Sequence, residues 1–395
     1  MYFTKIETKK GIRYACTGEG PRDPLTGKRQ QIRRRAKTKK EAKAKVEAII
    51  REIEGRSLAD RKRAMSVTFE QLAADWLRVY STSVKKSTVR IRQKEIKILN
   101  RYIPKARIGS ITRKMCQDIL VDLAEQGYAR STIEGVQVTA EMIFRQAITW
   151  QLLNENPTTG VKVPKPVLTV KEMTERNIEN KYLDHEEVSD FLSAVEKFGD
   201  YNDKIIFYTL LFTGMRAGEL SALQWPDIDF DHKLISITKT IYAPNDNMHD
   251  YELTPPKTIT SVRTFDVIDD VIELLHKHKV RQAKAKLKCE DYHDDHLVIA
   301  NDQGYPYLQY KIGIRMKKIM EHTKIKKKMT PHKLRHTHIS ILTELGVDLK
   351  TIMDRVGHKD METTIGVYTH VTNKMKKDTS QKMDQYLKGI RKITL

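Results

Sequence analysis

From Ser66 to Thr159 the sequence reads as helix from end to end, so the chain must build a helical unit at its centre. "TFEQLAADWLRVY" sets Phe69, Leu72, Ala73, Trp76 and Leu77 at helical spacing behind a capping Thr68, the pattern of one buried face. "KKSTVRIRQKEIKILNRYI" mixes Val89, Ile96 and Leu99 with lysine and arginine. "TRKMCQDILVDLAEQG" and "RSTIEGVQVTAEMIFRQAITWQLL" follow, and "NENP" stops the last of them. The apolar stripes are core, which leaves the basic faces to straddle phosphates.

The flanks read differently. Upstream, "MYFTKIE", "GIRYACTG" and "KRQQIRRRA" are short strands joined by turn chemistry at "KKG" and "GPRDPLTGK". A helix follows from Thr38, where "TKKE" offers a capping box with Glu41. Downstream, "VKVPKPVLTVKEMTERNIEN" is rich in proline and charge without periodicity and reads as a linker. "YLDHEEVSDFLSAVE" then starts a helix at Asp184 and Glu187, and "ISITKTIYAPN" with "YELTPPKTITSVRTFDVI" reads as a hairpin or small sheet. The fold class is therefore multidomain α+β. A three-stranded sheet with one helix spans 1–64, an all-helical domain 65–160 and a linker 161–178. A mainly helical domain with a small antiparallel sheet occupies 179–395.

Charge narrows the partner. The chain of 395 residues carries a formal net charge of +21 and a pI near 9.6, more than a neutral substrate calls for, and such an excess attracts nucleic acid. Residues 1–65 hold 20 Lys and Arg against 8 Asp and Glu, so over half of that surplus sits in about a sixth of the length. A basic strand carrying Arg33, Arg34 and Arg35 can lie against DNA, since a sheet or ribbon enters the major groove. Cys16, Cys116 and Cys289 are scattered and odd in number, which fits a reducing compartment. With no membrane-length apolar run and no signal peptide, a soluble, cytoplasmic, DNA-associated protein is expected, without membrane partners.

Four stretches of the third segment carry chemistry. "LLFTGMRAGELSAL" is an apolar helix broken at Thr213-Gly214 and restarted at once, which puts Arg216 in the first turn of the new helix with Glu219 one turn on. Lys257 follows Pro255-Pro256 at a turn, where a lysine can donate a proton to a leaving alkoxide or simply face water. "TPHKLRHTH" crowds three histidines, an arginine and a lysine into one spot. It can be a metal site, a solvated basic face or an anion cradle. Thr330 caps, Pro331 suits the first helical position, and His332 and Arg335 then share a face at the helix N-terminus, which builds a phosphate site. Zinc fits poorly. His332 and His336 are four apart, but no Glu follows His332, and Lys333 and Arg335 repel a cation. In "DLKTIMDRVGHKDMETTIGVYTHV" a helix ends at Gly357, His358 follows, a new helix begins near Thr363, and Tyr368 lies on it. "CEDYHDDH" is the one clustered-carboxylate candidate and reads as a solvated loop.

Taken in order, "TGMRAGEL", "PPKT", "HKLRHTH", "VGHKD" and "VYTHV" resemble the motif set of the tyrosine recombinase (phage integrase) family, here the three-domain integrases of temperate phages and integrative or conjugative elements. The motifs run from about Thr213 to Val371, and the preceding segments resemble that family's core-site-binding and arm-binding domains. The resemblance implies a site-specific recombinase that integrates and excises a mobile element through a 3′-phosphotyrosyl intermediate, without metal, ATP or other cofactor. It assigns Tyr368 as nucleophile, Arg216 and Arg335 as clamps on the non-bridging oxygens, and Lys257 as general acid. His332 assists proton transfer, His358 hydrogen-bonds the phosphate, and Glu219 positions the cations. It further implies double-stranded DNA at core-type and arm-type attachment sites, a homotetramer on DNA in a bacterial cytoplasm, and an excision factor and DNA-bending proteins as partners. The tail "MDQYLKGIRKITL" packs either on its own domain or on a neighbouring protomer. The competing readings are a DNA-binding regulator that never cuts and strand relaxation of the type IB topoisomerase kind.

Overall fold

The computed structural model describes residues 1–8, 11–22, 29–64, 66–165, 178–256, 261–357 and 364–373. The chain divides into two compact units, Met1–Val167 and Leu168–Leu395. Among the described residues no helix is long and apolar enough to cross a membrane.

The first unit opens with an antiparallel sheet in sequential order, β1 (Tyr2–Thr8), β2 (Gly11–Arg22) and β3 (Arg29–Ala36). Its register pairs Thr17 with Arg33, Cys16 with Arg34 and Ala15 with Arg35. Helix α1 (Lys39–Ala64) starts where the Thr38 hydroxyl accepts from the Glu41 N–H at 3.2 Å, and buries Ala42 and Val46 against Cys16, Ile32 and Ala36. Because strand side chains alternate, Arg34 shares the helix-covered face with Cys16, whereas Arg33 and Arg35 lie on the opposite one. All three are exposed.

A second core in this unit joins α2 (Phe69–Tyr80), α3 (Lys86–Leu99), α4 (Arg113–Glu125) and α5 (Arg130–Thr149). Thr68 and Gln71 form a full capping box, and Thr112 caps α4 through the Met115 N–H. The periodic residues of α2 do become core: Phe69, Leu72, Ala73 and Trp76 are buried.

In the second unit, α6 (His185–Phe198) begins at the Asp184–Glu187 capping box. The central helix α7 (Tyr201–Thr213) is buried along Ile205, Ile206, Phe207, Leu210 and Leu211. The five-residue α8 (Ala217–Ser221) follows. Strands β4 (Ile228–Asp229), β5 (Leu234–Ile237) and β8 (Arg263–Asp266) form one antiparallel sheet, and β6 (Thr240–Tyr242) with β7 (Glu252–Thr254) forms a separate hairpin. The β-rich stretch is thus two small sheets. Helices α9 (Asp269–Lys286), α10 (Gln309–Met320), α11 (Pro331–Glu344), α12 (Leu349–Val356) and α13 (residues 364–373) complete the unit.

Candidate active site

The break after α7 builds the first half of the site. Gly214 stops the helix in the left-handed region, at φ 66°, a conformation that costs glycine nothing. A methyl added there would also meet His338 Cδ2 at 2.5 Å. The turn buries Met215 and delivers Arg216 as N-cap of α8, just ahead of the first turn where the sequence puts it. Glu219 caps that helix through the Arg216 backbone N–H at 2.9 Å, and its other oxygen accepts from Arg216 Nη1 at 2.6 Å. The carboxylate is 3% exposed. Burial on its own would raise its pKa, but the Arg263 and then the Arg216 guanidinium outweigh that and hold it below the usual range.

Helices α11 and α12 supply the second half. Thr330 and Pro331 start α11, although the Thr330 side chain makes no capping bond. Arg335 points wholly inward, at 0% exposure, and is among the largest fully buried side chains. Its Nη1 donates to the Gly214 carbonyl at 2.8 Å, and its Nη2 donates to the Val356 carbonyl. Arg216 Nη2 reaches the next carbonyl, Gly357, at 3.3 Å. Gly357 is again left-handed, at φ 64°, which turns the chain out of α12. Two arginines therefore converge on the C-terminal carbonyls of one helix, where the dipole favours cations. Burial first, and the like charge of Arg216 second, push the Arg335 guanidinium well below its ordinary value. An anion arriving there would relieve both penalties.

His332 lies one turn before His336, with ring centroids 4.9 Å apart and edge to face. Burial, then the charges of Arg335 and Arg216, lower the His332 pKa, so at neutral pH its imidazole is neutral and can accept a proton. The same causes of burial and cationic neighbours bring His336 to about 4 and His338 to about 3. Neither histidine is solvated, and among the described residues no three His, Cys, Asp or Glu side chains gather as a metal cluster.

These depressed values carry a stability consequence. A histidine near pKa 6.5 when unfolded but about 4 or 3 when folded binds more protons in the unfolded chain below pH 6.5. Its stabilising contribution is full above that pH and is lost as pH falls toward the folded value. The loss from pH 7 to pH 5 is on the order of 2 kcal/mol for each such group. Urea midpoints of the protein should drop accordingly between these two pH values. His338→Gln should flatten the slope, and an unchanged slope would mean that His338 is not the group responsible.

Tyr368 lies on α13, half-buried in a cluster with Tyr182, Ile339, Ile352, Val356, Val367 and Val371. Val356 belongs to this cluster while its carbonyl holds Arg335, so the tyrosine helix packs on the element that anchors the arginines. His370 Nε2 stands 3.3 Å from Glu179 on the same helix's flank. Lys257, His358 and the tail after residue 373 lie outside the described residues.

Sequence reasoning missed Arg263 and Arg355. Arg263 Nη2 donates to Glu219 Oε2 at 2.8 Å, and Arg355 reaches Asp266 Oδ1 at 2.7 Å and His338 Nε2 at 3.2 Å. The only local signal is that Arg263 shares a strand face with Phe265, a core position occupied by a charge. The run read as a solvated loop is also tied down: the Tyr251 hydroxyl donates to Asp295, and His293 stacks on Tyr305 with centroids 4.5 Å apart.

Comparison with known proteins gives the family and the fold. The phage integrase family model matches residues 181–375, the stretch that builds the arginine cluster. The chain is 31% identical over 367 residues to the prophage ps2 probable integrase of Lactococcus lactis, covering 90% of this chain and 93% of that protein. Its fold is similar to the Tn1549 transposon integrase in complex with transposon right-end DNA, with a TM-score of 0.64 at 21% identity over 76% of this chain and 95% of the other. It is also similar to a lambda integrase tetramer bound to a Holliday junction, with a TM-score of 0.56 at 18% identity over 90% and 95% of the two chains. A relative that alike along nine-tenths of the sequence, with the family model falling on Arg216, Arg335 and Tyr368, makes this chain a member of the phage integrase family, the tyrosine recombinases.

Proposed function

We propose that this recombinase cuts and rejoins DNA at the attachment sites of a mobile element, with Tyr368 as nucleophile. The Tyr368 hydroxyl attacks the scissile phosphorus, its proton passes toward His332, and the bond from phosphorus to the 5′-oxygen breaks. Lys257 protonates that oxygen, leaving a 3′-phosphotyrosyl bond and a free 5′-hydroxyl. A 5′-hydroxyl of the exchanged strand then runs the step in reverse, so the bond energy is kept and neither ATP nor a metal is needed. Arg216 and Arg335 neutralise the non-bridging oxygens, the dominant task when an anionic diester meets an oxygen nucleophile, with His358 adding a hydrogen bond. Glu219 orients Arg216.

The observation that carries this reading is the convergence of Arg216 and Arg335 on the carbonyls of Val356 and Gly357, the helix end on which the Tyr368 helix packs. The neutral state of His332 supports its part as proton acceptor. In the first unit, residues 1–64 serve arm-type sites and residues 65–160 core-type sites. The exposed Arg33 and Arg35 on the helix-free sheet face suit the former, and Arg34 suits the sheet's rim. Recombination joins two duplexes, so four protomers act together on DNA in the bacterial cytoplasm, as the tetrameric lambda complex suggests. An excision factor and DNA-bending proteins fit an enzyme that contacts distant arm and core sites.

The test is covalent capture. Wild-type protein is mixed with a core-site duplex nicked close to the cleavage point, so that the short strand bearing the new 5′-hydroxyl escapes. With EDTA present and ATP absent, a protein–DNA band that survives denaturation is expected, and peptide mapping should place the phosphate on Tyr368. An adduct that needs a divalent cation, or one mapped to another residue, would overturn the mechanism. Tight binding with no adduct would leave a regulator.

A further inference from the structure

We propose that Arg263 is a positioning residue for this chemistry, holding Glu219 so that the carboxylate orients Arg216 without neutralising it; the inference rests on the clamp role given above to Arg216. The Arg263 side chain is 6% exposed and Glu219 3%, and Nε, Nη1 and Nη2 of the guanidinium are all engaged with protein acceptors, so it acts through Glu219. Its planar fork is used on every side. Nη2 donates to Glu219 Oε2 at 2.8 Å and Nη1 approaches Oε1 at 3.3 Å, while Nη1 also donates to the Ser261 carbonyl at 3.0 Å. Nε donates to the Arg355 carbonyl at 2.8 Å, next in sequence to the Val356 and Gly357 carbonyls that hold Arg335 and Arg216.

One carboxylate thus lies between two guanidiniums. If Glu219 faced Arg216 alone, both oxygens could close on it as a two-pronged buried pair, and the phosphate would have to compete for that arginine. Arg263 takes one prong, which leaves the Arg216 guanidinium with a single 2.6 Å bond to Glu219 and a partly exposed remainder. The same guanidinium fastens Ser261, which follows the segment bearing Lys257, to the end of α12. Lysine, with a point charge and no fork, cannot make these bonds together.

The experiment uses the full chain and single-turnover capture on the nicked core duplex, with either a phosphodiester or a methylphosphonate at the cleaved position. The methylphosphonate is uncharged and asks less of the arginines. Arg263→Met should slow capture of the diester by about 100-fold, the scale for losing one oriented donor, with DNA binding retained. The deficit should shrink at least tenfold on the methylphosphonate, in parallel with an Arg216→Lys control. In the Arg263→Met background, Glu219→Gln should restore part of the rate, because it removes the charge that captures Arg216. Equal deficits on both substrates, or no recovery in the double variant, would reduce Arg263 to a structural role and overturn the proposal. A deficit cured only by a sulfur leaving group would assign it to Lys257 and overturn it as well. If Arg263→Met does not fold, Arg263→Lys is read against the same criteria. Failure of the wild type on both substrates would instead sink the recombinase chemistry beneath the proposal.

Discussion

Replacing Tyr368 with phenylalanine should abolish covalent capture of DNA while leaving the fold and DNA binding intact. The ring is packing material as well as the proposed nucleophile's carrier: it is half-buried among Ile339, Ile352, Val356 and Val371, and phenylalanine fills that space. The bond its backbone carbonyl accepts from the Thr372 hydroxyl at 2.9 Å does not involve the phenol. Stability should therefore stay within about 0.5 kcal/mol of wild type. The catalytic loss is of another order, because removing a nucleophile leaves only residual catalysis and costs at least about 10⁴-fold. Single-turnover capture and a gel-shift titration on the same duplex separate the two effects. Capture at the wild-type rate by Tyr368→Phe would move the nucleophile to another side chain, and the arginine pair would then need a partner outside α13.

Much of this site is legible in the sequence because its signals are local. Asp184 with Glu187 announces a helix start through bonds three residues long, and that box forms as the chain demands, while Thr68 caps its helix as read. Gly214 between an apolar run and "MRAGEL" marks a stop and a restart, which fixes Arg216 beside Glu219. What the sequence does not display is made by long-range pairing. Arg263 meets Glu219 across 44 residues, and no spacing rule links a strand arginine to a capping glutamate. Likewise "HKLRHTH" reads as a metal site, a solvated basic face or an anion cradle, with nothing to say how deep it lies, yet Arg335, His336 and His338 are all buried. The burial of Arg335 follows from the carbonyls offered by Gly214 and Val356, which only the folded chain brings together. The basic triplet Arg33–Arg35 looks uniform in sequence, but the strand sends its members to two faces.

The buried arginine gives the sharpest remaining test, since it separates charge from geometry. Arg335→Lys keeps the positive charge but loses the fork that spans the end of α7 and the end of α12, so capture of the diester should fall by about 10³-fold. The pH dependence should change too. Burial and Arg216 already disfavour a cation at this position, and an amine in their company titrates far more readily than a guanidinium. Its pKa moves down from about 10.4, so the introduced amine loses its proton as pH rises, and activity falls with it. Between pH 7 and 9 the wild type should show no such fall from this site, because its guanidinium stays charged and His332, with its lowered pKa, is already neutral throughout. A declining rate in Arg335→Lys over that window, against a flat wild type, identifies the lost charge as the cause. Arg335→Met, which fills similar space without charge, should be inactive at every pH. If the lysine variant works within tenfold of wild type from pH 7 to 9, the fork is dispensable, and Arg216 alone must carry the phosphate.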